Sequence, residues 1–155
     1  MSYMDLDRVD RAILAELQRD GRITNADLAV AVGLSPSAAL RRTRALERAG
    51  IIDRYVALLD PKAVGRGTTV FVEISLDTQS ESQLDQFEAA IVTCPEVVSC
   101  HLMAGDADYL VQVVCFDVAD FERVHRDWLS KLPGVSRIRS SFALRAVCQR
   151  TAFDL

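Results

Sequence analysis

The hydrophobic rhythm of this chain changes once, at the GRG of Gly65–Gly67. Before that point apolar residues recur at helical spacing. After it they alternate. A helix lines one face every three to four residues and a strand every second residue, so one regular element cannot serve both periods. The change calls for two folding units in a 155-residue chain, one built of helices and one built around a sheet.

The first unit is expected over residues 1–60. LDRVDRAILAELQRDG offers Val9, Ile13 and Leu17 as one stripe and stops at Gly21. ITNADLAVAVG starts at Thr24, an N-cap, with Asp27 three residues on as a capping-box variant, and stops at Gly33. The third helix has Ser35 as N-cap and Pro36 at the first helical position, where a missing N–H costs nothing, and stops at Gly50. Three short helices with a Gly-containing turn before the third form a helix-turn-helix pattern. IIDRYVALLD then reads as strand-like, and residues 61–67 as a linker.

The second unit is expected over residues 68–155. TTVFVEISL puts Val70, Val72, Ile74 and Leu76 on one face. A helix with Leu84, Phe87 and Ile91 inward follows, then strands VVSCHLM and DYLVQVVCF around the turn AGDA. A helix with Phe121, Val124, Trp128 and Leu132 inward leads to a last strand, VSRIRSSFALRAVCQ. The order βαββαβ is ferredoxin-like, so the predicted fold class is α+β: an N-terminal winged helix-turn-helix followed by a ferredoxin-like domain.

Charge is local. The chain carries a net −4, yet residues 35–54 hold five arginines against Glu47 and Asp53. Helical geometry puts Ser37, Arg41, Arg44 and Arg48 on one exposed face, Arg42 on its flank, and Ala39, Leu40, Thr43 and Leu46 inward. Arginine bonds the guanine edge bidentately or pairs with phosphate, and a helix N-terminus favours a phosphate. A solvated surface helix is the plainer reading of charge alone; the caps and the preceding helix shift the balance to double-stranded DNA.

The stretch Gly105-Asp106-Ala107-Asp108-Tyr109 has two readings. It is a plain hairpin turn, or its carboxylates meet an ammonium while loop N–H groups meet a carboxylate. The sequence contains no nucleophile–base pair, metal cluster or phosphate loop, so it predicts neither an enzyme nor a cofactor. The cysteines Cys94, Cys100, Cys115 and Cys148 form no CxxC pair and are expected as reduced thiols. No apolar run approaches the roughly 20 residues of a membrane span, and the N-terminus is polar. A soluble, cytoplasmic protein with no membrane partner is therefore expected.

These segments, with YVALLDP, MAGDADYLVQV and LPGVSRIRSSFAL, resemble the Lrp/AsnC family, the feast/famine regulators, over residues 6–150. The resemblance implies an N-terminal DNA-binding domain and an effector-binding and oligomerisation domain. It also implies an amino-acid effector and a homodimer assembling to a tetramer of dimers. It places DNA contacts on Asn25, Ser35, Ser37, Arg41, Arg42, Arg44 and Arg48. It places effector contacts on Met103, Gly105, Asp106, Asp108 and Tyr109, with Ser140 and Ser141 expected nearby on the last strand. The family often has a larger residue where Ala107 stands. The competing function is a chromatin-architectural protein with weak sequence preference and no small-molecule control.

Overall fold

The computed structural model describes residues 6–155, in two compact units. One comprises the described part of Met1–Leu58 together with Val147–Leu155; the other is Leu59–Ala146. Spatially, the last nine residues of the expected 68–155 domain group with the first unit. Gln18 holds the returning segment through its side-chain amide: Nε2 donates to the Phe153 carbonyl at 3.0 Å, and Phe153 N–H donates to Oε1 at 2.7 Å.

The first unit holds α1 (Arg8–Arg19), α2 (Asn25–Ala31) and α3 (Pro36–Arg48). Each starts on a side-chain cap: Asp7, Thr24 and Ser35 accept from the amides of Asp10, Asp27 and Ala38. Asp27 reaches back as a capping-box partner would, but to the Thr24 hydroxyl at 2.7 Å. Gly33 has φ of +68°, a left-handed conformation that glycine adopts without strain, and turns the chain from α2 into α3. Ile13, Leu14, Leu28 and Leu46 form the small core. Leu40, expected inward, is exposed: it follows buried Ala39 directly and so lies about 100° further round the helix. No ladder forms over IIDRYVALLD, because an extended segment becomes a strand only beside a partner.

The second unit contains β1 (Thr68–Leu76), α4 (Glu81–Ile91), β2 (Val97–Leu102), β3 (Tyr109–Cys115), α5 (Val118–Asp127) and β4 (Val135–Phe142). A short 3-10 turn, Leu129–Lys131, precedes β4. The sheet is antiparallel with order β2-β3-β1-β4, the expected ferredoxin-like topology. Val70, Val72 and Ile74 pack with Val111, Val113, Phe87, Ile91 and Val124 in one core. The opposite face carries Phe71, Glu73, Leu110, Gln112 and Arg139 and is not covered by either helix of this unit. The last strand is shorter than expected and ends at Phe142.

Candidate nucleic-acid interface and effector pocket

Helix α3 presents Ser37, Arg41, Arg44 and Arg48 to solvent, while Ala39 and Leu46 are buried. Among the described residues these three arginines have no ion-pair partner. The face is cationic, and its small residues at the N-terminal end let a groove floor come close.

The other expected DNA-contact residues are already engaged. Arg42 donates through Nη1 to Asp7 Oδ2 and Asp10 Oδ1, both at 2.8 Å. Donation to Asp10 and then to Asp7 raises the guanidinium pKa further above its ordinary range. Arg42, expected as a DNA contact on the flank of that face, is instead an internal tie between α3 and the start of α1. Its partners lie 35 and 32 residues away in sequence, so no local spacing pointed to them. Asn25 donates to the Pro36 carbonyl at 2.8 Å, and Ser35 caps α3. Both shape the α2–α3 turn.

In the second unit, the β2–β3 connection forms the rim of an open pocket of about 320 Å³. Met103, Ala104, Gly105, Asp106 and Ala107 contribute from the connection, Tyr109 from the start of β3, and Glu73, Leu110, Arg137 and Arg139 from the open sheet face. The volume is near the lower end of the roughly 300–1,000 Å³ usual for small-molecule sites. Asp106 is exposed. Arg139 pairs with Glu73 across the strands at 3.6 Å, whereas Arg137 has no ion-pair partner among the described residues. The pocket thus offers one free carboxylate, one free guanidinium and the apolar side chains of Met103 and Leu110.

Several effector expectations need correction. Asp108 is buried, not displayed: its Oδ2 accepts from Leu76 N–H at 2.7 Å and its Oδ1 from Gln79 Nε2 at 2.6 Å. With the Asp108 amide donating to Ile74 O and the Met103 amide to Asp108 O, the residue fastens the connection to the end of β1. The Tyr109 ring turns to the helix side, 4.3 Å from Phe87, and its hydroxyl donates to Glu88 at 2.8 Å. Burial, then that bond, pushes the phenol above its usual range. Gly105 lacks a positive φ, and a Cβ there would meet nothing within 4 Å. Its backbone therefore does not require glycine.

Ser140 and Ser141 also lie away from the pocket. They pair with Val72 and Phe71, while Arg139 and Arg137 pair with Glu73 and Ser75. An antiparallel β4 brings its early residues to the late residues of β1, beside the β2–β3 connection. Counting register from the strand ends would have selected the arginines.

The cysteines are free. Burial pushes the Cys100 thiol up to about 11 and raises those of Cys94 and Cys115, which keeps all three protonated near neutral pH.

Comparison with known proteins agrees with this two-part architecture. Residues 69–153 match the Lrp/AsnC ligand binding domain, and residues 6–53 match a winged helix-turn-helix DNA-binding domain. The chain is 43% identical over 145 residues to the leucine-responsive regulatory protein of Escherichia coli (strain K12), covering 94% of this chain and 88% of that protein. A Neisseria meningitidis transcriptional regulator, solved as an L-Met complex, superposes with a TM-score of 0.91 at 38% identity, covering 96% of each chain. The feast or famine regulatory protein of M. tuberculosis, complexed with L-methionine, gives 0.86 at 33% identity, covering 96% of this chain and 98% of that one. The chain belongs to the Lrp/AsnC family, and it is a ligand-responsive DNA-binding transcription regulator, not an enzyme.

Proposed function

We propose that this regulator reads DNA through Ser37, Arg41, Arg44 and Arg48 of α3, and that an amino acid bound at the β2–β3 connection controls that binding. The observation that carries the effector half is charge placement. Asp106 and Arg137 line one small pocket, and neither has an ion-pair partner among the described residues. An α-ammonium and an α-carboxylate need such a pair, since an unmatched charge held away from water is costly. Met103 and Leu110 favour an apolar side chain. The L-Met complexes of the Neisseria and M. tuberculosis relatives make L-methionine the first compound to try.

The reading includes a homodimer that builds a tetramer of dimers, working in the cytoplasm where the chromosome lies. The uncovered sheet face supports assembly, with Phe71 exposed on it, as do the exposed Val98, Leu102, Phe116 and Val118. Two-fold symmetry would set two α3 helices at half-sites about one DNA turn, or a multiple of it, apart.

A thermal-shift panel of the common amino acids, followed by DNA titrations with and without the best one, tests the proposal. A melting-temperature rise with L-methionine, matched by a change in DNA affinity, is expected. No shift with any amino acid overturns the effector half.

A further inference from the structure

Three features of the first unit bear on how α3 is held. Arg42 projects from its flank, away from the face formed by Arg41, Arg44 and Arg48. Its guanidinium meets two carboxylates, Asp7 and Asp10, each at 2.8 Å. Asp7 is itself the N-cap of α1, accepting from the Asp10 amide at 2.8 Å, so both carboxylates sit at fixed places in the first turn of that helix. Asp10 is one of the few buried charged residues, 8% exposed.

The hydrophobic core under α3 is small, and apolar contact alone restrains rotation of a helix about its own axis poorly. Two charge-assisted bonds from one nitrogen to two carboxylates are directional and restrain such a rotation. Rotation decides which side chains reach the base edges, whereas attraction to phosphate depends mainly on net charge.

We infer that Arg42 is a positioning residue for DNA recognition: held by Asp7 and Asp10, it sets the rotation of α3 and thereby sequence discrimination, without touching DNA. The inference rests on α3 as the reading helix. That reading fails separately if Arg41→Ala with Arg44→Ala leaves binding as in the wild type.

The test uses the full chain. A duplex enriched by the wild type from a random pool is compared with a scrambled duplex of the same composition, across a salt series, at a temperature where circular dichroism shows each variant folded. Arg42→Gln should lower the ratio of specific to scrambled affinity about tenfold, the worth of one well-placed base contact, with the salt slope unchanged. Asp10→Ala should lower the ratio similarly, although it makes the protein one unit more positive. Arg42→Lys should recover part of the ratio, because an ammonium keeps the charge and can donate to both carboxylates, but from a shorter side chain. Asp10→Asn serves if Asp10→Ala does not fold.

A salt slope reduced by about one in Arg42→Gln, with equal or tighter binding by the Asp10 variants, would show a phosphate contact and overturn the inference. A ratio unchanged in both variants, with only melting temperature lowered, would reduce the cluster to a stability element and overturn it too. So would a wild-type ratio of one.

Discussion

The Asp108 carboxylate accepts the Leu76 amide at 2.7 Å, which joins the β2–β3 connection to the end of the central strand β1. Asp108→Ala strands that buried N–H and releases Gln79. The expected cost is about 1–3 kcal/mol of stability, read by urea denaturation. A change within a few tenths of a kcal/mol would show that the bond contributes little. Any loss of ligand response in this variant reflects a displaced connection.

Asp106 gives the contrasting case. It is exposed, so Asp106→Asn should leave the ligand-free melting temperature nearly unchanged while reducing the shift produced by L-methionine. Arg137→Gln should act alike, and methioninamide, which lacks the carboxylate, should not distinguish Arg137→Gln from wild type. If L-methionine shifts both variants as it shifts wild type, the pocket is not the site.

For the DNA face, Arg41→Ala should cost about 1–3 kcal/mol of specific binding if the residue reads a base. If it touches phosphate only, all sequences should weaken alike, with a salt slope reduced by about one. Gel-shift titrations at several salt concentrations separate the two.

Acid should loosen both units. In the first, the Asp10 amide, and less strongly Arg42, holds the Asp7 carboxyl below its ordinary range. In the second, the Phe116 amide and then Arg123 do the same for Asp120. A depressed folded-state pKa gives stability that is complete above the unfolded value, about 4, and is lost as pH falls through the lower folded value. Melting temperature should therefore drop below about pH 4, and Asp120→Asn should flatten that part of the profile. A wild-type slope in the variant would remove Asp120 from the account.

Helix punctuation was legible in the residues because it is local. Thr24, Ser35-Pro36 and Gly33 act within one turn of where they stand, and the structure uses each as read. Alternation likewise identified the buried face of β1. Long-range partners were not legible. The charge on Arg42 predicts a contact but not with which group, and Asp7 and Asp10 became its partners only once α1 and α3 had packed. The pocket failed for a related reason. Ser140 and Arg139 are adjacent in sequence, but register decides which one faces the β2–β3 connection, and register is set by the whole sheet. The end of β4 escaped because alternation shows which way side chains point, not where a ladder stops.

The Gln18–Phe153 pairing changes what kind of object the second unit is. It is an insertion: the chain leaves the first unit near Leu58, folds the sheet unit, and comes back at Val147. Two covalent strands therefore run between the units, not one tether. A deletion that removes the returning segment would take away contacts made by Gln18 of α1. A single protease nick near residues 143–146 would leave the exposed returning segment tied mainly through the Gln18–Phe153 pair, each bond worth only about 1 kcal/mol, so the cut peptide should dissociate.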